Sequence, residues 1–181
     1  GAGAPGHAGE LTIVTVQFEV DESTYASLAR FRSRVSEIVA RAVSRYDAEL
    51  VVFPEYINAF LLASFYPDAV SGSPTLAAAL ARLGSDPSDE DALGALFEQH
   101  AAELAVAARS MWREIARAYD VALVPGTLFA PVAHDKSEHL RNRLLLIDDD
   151  GSIVYRQDKV YLTPEESGML FSWPESRPRS F

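Results

Sequence analysis

The sequence predicts an α/β fold on three observations. A β-branched run, a long amphipathic helix and a short apolar strand succeed one another over residues 11–53, the order of a βαβ unit. Two further strand-like runs flank an Asp-Gly turn at Asp150-Gly151, the chemistry of a hairpin. The 181 residues contain no cysteine, so the fold rests on a packed core, not on disulfides. The length suits one domain. The same lack of cysteine excludes thiolate zinc sites, cysteine-ligated iron–sulfur clusters and a cysteine nucleophile within this sequence. Sixteen Lys and Arg against 26 Asp and Glu leave a net charge of −10. Such an acidic chain repels phosphate backbones and anionic membrane surfaces. No apolar run approaches a membrane span. The expected class is soluble and cytoplasmic, without nucleic-acid or membrane partners.

Residues 1–10, GAGAPGHAGE, formally contain G-x-G-x-x-G at Gly1, Gly3 and Gly6. A dinucleotide site needs a strand before the first glycine and a helix after the last. Neither fits here, and the segment reads as a disordered leader or a remnant of processing or of expression. Leu11–Val20 (LTIVTVQFEV) reads as a strand. Ser23 or Thr24 caps the next helix, where Leu28, Phe31, Val35, Ile38, Val39 and Ala42 recur at helical spacing through residue 46. Leu50–Phe53 is a wholly apolar strand stopped by Pro54. Pro67 breaks the next stretch. Ser73-Pro74 reads as a cap and first-turn proline for a helix through Leu83. The acids of Ser88–Asp91 suit the start of a long helix to residue 119. Val121–Leu128 is a strand interrupted by Pro125-Gly126, and Arg141–Ile147 with Ser152–Gln157 form the hairpin.

Metal readings fail on spacing. Counted from Asp148, Lys159 stands where a calcium loop needs its glutamate and Ile153 where it needs glycine. His134 and His139, read as loop residues, are out of helical i,i+4 register, and no third ligand is evident. His7 falls in the leader and His100 on a helical stripe. Trp112 and Trp173 read as packing residues. No metal or cofactor is expected.

Two polar residues stand where α/β folds place chemistry. Glu55 follows the strand Val51-Val52-Phe53-Pro54 at its C-terminal mouth. Lys159 follows the second hairpin strand. Taken singly, each is compatible with a solvated strand end. Taken in order, Val52-Phe53-Pro54-Glu55, the run Val124-Pro125-Gly126-Thr127, Asn142 ahead of the Asp-Gly turn and Tyr155, and then Lys159, Tyr161-Leu162 and Pro164-Glu165-Glu166 resemble the nitrilase superfamily of carbon–nitrogen hydrolases. Gln17 on the opening strand, ahead of the long helix, agrees. The resemblance covers roughly residues 11–170.

That resemblance implies a four-layer α-β-β-α sandwich and a Glu-Lys-Cys triad. In such a triad a thiolate attacks an amide or nitrile carbon, Glu is general base, and Lys stabilises the developing anion. Carried over, Glu55 is the base and Lys159 the stabiliser. Glu166 matches the family's second glutamate, with Glu165 as its rival. The departure is the absent cysteine, with no G-x-S-x-G in its place. The expectation is therefore the N-terminal portion of such a domain, with a sandwich incomplete in this chain. The nucleophile would come from a missing C-terminal segment or a second chain, and the 181 residues alone would be inactive. An incomplete sandwich would also expose an apolar sheet face and be unstable alone. The competing expectation is a catalytically inactive nitrilase-like binding or assembly module. The resemblance also implies a homo-oligomer acting on a small amide or nitrile, amides being the broader group. Glu55 and Lys159 are 104 residues apart, long for the family. The excess falls in an acidic, alanine-rich helical insertion at about 67–110, read as an outer helix pair that is either plain surface or a wall of the substrate access. No substrate-binding residue is readable.

Overall fold

The computed structural model describes residues 11–84, 92–134, 137–167 and 170. The βαβ unit forms as the periodicity requires. β1 (Ile13–Thr15) and β2 (Leu50–Val52) pair in parallel, and β2 pairs in parallel with β3 (Ala122–Val124). β3 and β4 (Thr127–His134) are separated by Pro125 and Gly126, and both pair antiparallel with β5 (Ser137–Ile147). β6 (Ile153–Asp158) returns antiparallel along β5 and completes a six-stranded mixed sheet. Gly151 makes the predicted turn with φ of +79°, and its carbonyl accepts from Arg113 Nε at 2.7 Å. A side chain there would strike the Arg113 carbonyl and Arg117, so the turn's glycine serves packing as well as conformation.

The helices are α1 (Glu22–Tyr25), α2 (Leu28–Tyr46), a 3₁₀ helix (Ala59–Phe65), α3 (Pro67–Val70), α4 (Leu76–Arg82), α5 (Ala92–Tyr119) and α6 (Pro164–Ser167). The apolar stripe of α2 (Phe31, Val35, Ile38, Val39) and that of α5 (Ala108, Met111, Trp112, Ile115) are buried in one core. Val51, Leu123, Leu145 and Ile147 from the sheet belong to the same core. Alternation puts the other strand positions on the far face. There Ile13, Leu50 and Ala122 lie in one row, and Thr15, Val52 and Val124 in the next. These positions are half-buried or exposed, Ile13 at 51%. The described residues thus form an α/β fold with α2 and α5 on one face of the sheet. They correspond to one helix layer and one sheet layer of the expected sandwich.

Several boundaries differ from the sequence reading. β1 is three residues, not ten, because its partner β2 soon reaches Pro54, which has no N–H to extend a ladder. The 24–46 helix is two helices. Asp21 caps α1 by accepting from Thr24 N, and Ser27 caps α2 by accepting from Arg30 N. Thr75, not Ser73, caps α4. His134 and His139 lie in a strand hairpin and not in a loop, because the backbone of β5 takes β4 as its partner. The side chains of residues 133–139, the leader, the Ser88–Asp91 helix start and Trp173 lie outside the described residues.

Candidate active site

Glu55 is placed by a clamp behind it. Phe53 is buried and its N–H donates to Val124 O at 2.8 Å. Gly126, at φ of +71°, lets its backbone meet Pro54 directly, and any Cβ there would collide with the Pro54 carbonyl. Only glycine meets both demands without strain. Beyond Glu55, Tyr56 has φ of +67°, a left-handed conformation that costs a non-glycine residue on the order of 1–3 kcal/mol. Surrounding bonds hold it there. Thr127 Oγ1 accepts from Tyr56 N at 3.2 Å. Asn58 Nδ2 donates to Pro125 O and Thr127 O at 2.8 and 3.0 Å. Trp112 Nε1 donates to Asn58 Oδ1 at 2.7 Å, so Trp112 is a brace for this loop as well as a packing residue. Tyr25 adds a bond from its hydroxyl to Ile57 O at 2.8 Å.

Lys159 is placed by the hairpin. Its backbone N–H continues the ladder by donating to Asn142 O at 2.8 Å. The residue before it, Asp158, is gripped by Arg143 through two bonds of 2.6 and 2.9 Å and by Arg141 at 3.2 Å. Burial opposes Asp158's charge, but the two guanidiniums outweigh it and hold its pKa below the usual value.

Glu166 is placed by a capping box. Thr163 N donates to Glu166 Oε2 at 2.7 Å, and Glu166 N donates to Thr163 Oγ1 at 3.3 Å. One carboxylate oxygen thus seats α6 and leaves the other facing inward. Glu165's side chain lies outside the described residues.

These three residues, chosen from sequence, converge on one ammonium. Lys159 Nζ donates to Glu55 Oε1 at 3.0 Å and to Glu166 Oε1 at 3.0 Å. Two residues not singled out as site residues complete the cluster. Asn142 Nδ2 bridges the carboxylates, at 2.7 Å from Glu55 Oε1 and 3.2 Å from Glu166 Oε1. The Tyr56 hydroxyl donates to Glu166 Oε1, accepts from Lys159 Nζ at 3.3 Å, and its ring lies 5.6 Å from that ammonium. Asn142 had a visible signal, an amide between two arginines in an apolar strand. Tyr56 had none beyond its place next to Glu55.

The electrostatics are lopsided. Glu166's side chain is 5% exposed and Glu55's 42%. Burial works against Glu166's charge, yet hydrogen bonds from Tyr56, Thr163 N, Lys159 and Asn142 hold its pKa at about 2. Burial also opposes the Lys159 charge, but bonds to Glu55, Glu166 and Tyr56 keep its pKa above the ordinary amine value. The Tyr56 phenol is pushed up to about 12, by burial first and then by its bond to Glu166. The cluster therefore holds a cation, a buried anion behind it, and a half-exposed carboxylate in front.

A central cation flanked by carboxylates at the strand ends of an α/β fold defines a candidate hydrolytic site. The family model described as carbon-nitrogen hydrolase matches residues 12–174, and the chain belongs to that family. No curated protein shows a significant sequence match. Among solved structures, the chain is similar to an amidase from Nesterenkonia sp. AN1, at 23% identity and a TM-score of 0.57 over 91% of this chain and 50% of that one. A second structure of that amidase, a mutant with the acetamide moiety of fluoroacetamide added covalently at its active-site cysteine, gives 21% identity and a TM-score of 0.57 over 95% and 51%. A third, a mutant in complex with butyramide, gives 23% and 0.55 over 90% and 48%. The chain spans about half the length of these structures. At such identities the likeness is one of fold.

The side chains of Asp148, Asp149 and Asp150, all exposed, bring their carboxylates within 4.8 Å of one another. Asp150 accepts from Ser152 N at 2.6 Å and Asp148 from Asp149 N at 3.0 Å, which is turn chemistry. His100 stacks on Phe65 and shares a 2.8 Å hydrogen bond with the Tyr66 hydroxyl, away from the cluster. Among the described residues, no helix is long and apolar enough to cross a membrane.

Proposed function

We propose that this chain supplies the base and the cation of a carbon–nitrogen hydrolase that cleaves small amides or nitriles. The observation that carries the reading is the 3.0 Å contact between Glu55 Oε1 and Lys159 Nζ, made by residues 104 positions apart and each fixed by its own strand-end clamp. The sequence has no cysteine. The nucleophilic thiol of the Glu-Lys-Cys triad is therefore assigned to polypeptide outside it, a C-terminal segment or a second chain, and the 181 residues alone turn over no substrate.

In this mechanism the half-exposed Glu55 takes the thiol proton as the sulfur attacks the substrate carbon. Lys159 stays protonated and stabilises the negative charge that develops on the carbonyl oxygen or nitrile nitrogen. For an amide, Glu55 returns the proton to the departing nitrogen, then activates the water that cleaves the thioester and releases the acid; for a nitrile, the proton goes to the thioimidate nitrogen, a first water expels ammonia and a second releases the acid. Glu166 and Asn142 position Lys159 and Glu55 without exchanging protons, because Glu166 is too acidic to be protonated near neutrality. The proposal includes a cytoplasmic homo-oligomer and a helical insertion over 67–110.

The test is ammonia release from a panel of primary amides and nitriles by the complete protein. Release abolished by Lys159→Ala or Glu55→Gln supports the reading. Binding of amides with no ammonia from any of them favours an inactive binding module instead.

A further inference from the structure

A concave cavity of about 500 Å³ adjoins the charged cluster. Leu62 from the 3₁₀ helix, Ala79 and Leu80 from α4, and Phe97 from α5 line it, with Phe129 of β4 beneath. At one end stand Tyr56 and Glu166, the residues that bond to Lys159. Its volume lies within the roughly 300–1,000 Å³ of small-molecule sites. Apart from the residues at that end, its lining is almost wholly hydrocarbon. A charged or strongly polar side chain placed there would lose its hydration without gaining partners. An apolar chain filling it would bring its polar end against Tyr56 and Glu166, the two cluster residues that border the cavity.

We propose that this cavity is the side-chain pocket of the site, and that the substrate carries a medium-length alkyl or arylalkyl group next to the scissile carbon–nitrogen bond. The inference rests on the hydrolase reading for its chemistry but not for its binding, which the pocket supplies alone. The walls are built from the segment between Glu55 and Lys159, so α4 and α5 set chain-length preference while the strand ends set chemistry. Burial of each methylene is worth about fourfold in binding. The apolar group can belong to the acyl side or to the leaving amine, and two probes separate these.

The experiment uses the complete protein carrying Glu55→Gln, so that titration reads binding without turnover. Octanamide, N-octylacetamide and acetamide are compared. Either octyl compound binding about fifty-fold or more tighter than acetamide supports the pocket, and the tighter of the two identifies the side of the bond it serves. Octyl compounds binding no tighter than acetamide overturn it. Ala79→Phe, which fills the cavity, is expected to bring that ratio toward one. Leu80→Ala, which enlarges it, is expected to move the optimum to a longer chain and carries the test if the first variant does not fold. An unchanged ratio in the folded variants overturns the assignment. Wild-type protein that hydrolyses acetamide, octanamide and N-octylacetamide equally well keeps the hydrolase reading and removes this one. Tight octanamide binding without ammonia release does the reverse.

Discussion

The charged cluster and the apolar cavity share Tyr56 and Glu166 yet are built in opposite ways. The cluster is small and saturated with bonds. One ammonium meets two carboxylates, and an amide and a phenol hold the carboxylates in place. Its residues come from the ends of β2 and β6, from β5 and from α6, and both strand ends are anchored by backbone contacts. The cavity is wide, and packing alone shapes it, from helices that need only be apolar on one side. The difference teaches that position is demanding where charge develops and permissive where shape alone matters. Small changes in the cluster should therefore cost far more than comparable changes in the cavity wall.

The sharpest way to break this contrast is Lys159→Ala, which leaves two carboxylates facing each other without their cation. Turnover by the complete protein is expected to fall by about 100-fold to 1,000-fold, measured as kcat/KM for amide hydrolysis. Gly126→Ala tests the clamp at a distance from the chemistry. Its methyl would strike the Pro54 carbonyl and force a strained φ, shifting Glu55 by about 1 Å. A loss of about 100-fold in kcat with a lower melting temperature is expected. The same two losses would not follow from Ala substitution at an exposed glycine.

Tyr56→Phe removes one hydroxyl and keeps the ring. Its expected cost is about 1.5–3 kcal/mol of stability by denaturant titration, since the lost bond ends on a charged group. The Glu166 pKa should rise as well. A further effect is on pH. Glu166 ionises at about 2 when folded, against 4.5 ordinarily. It therefore stabilises the fold fully above pH 4.5, and that contribution drains away as pH falls toward 2. Stability measured across this range should slope downward with acid, and Glu166→Gln should flatten that slope.

How much of this was legible in the sequence follows the same division. The β2 run into Phe53-Pro54-Glu55 and the β6 exit into Lys159 announce themselves because strand ends carry local signatures, an apolar run and its punctuation. Glu166 was paired with Glu165 as a rival, although Thr163-Pro164-Glu165-Glu166 has capping-box spacing, which favours the residue three after threonine. Asn142 was visible as an amide in an apolar strand, but its partners depend on cross-strand register, and Tyr56 depends on a left-handed backbone that the sequence does not reveal. The α2 stripe was visible from its period. The break at Ser27 and the cap at Thr75 were not, because several hydroxyls compete for each cap and the winner depends on how the chain enters the helix. The cavity was least legible. Its walls are far apart in the chain, and an alanine-rich helix looks alike whether it lines a pocket or faces solvent.

The central claim is that Glu55, held against Lys159, is the proton acceptor of a carbon–nitrogen hydrolase. The most direct test is kcat/KM for amide hydrolysis by the complete protein carrying Glu55→Gln, with matching thermal unfolding to show that the fold is intact. A fall of about 100-fold to 10,000-fold is expected, the range of a positioned general base. Activity within about tenfold of wild type, in a folded variant, would contradict the account, since the substituted amide keeps the hydrogen bonding but cannot take the proton.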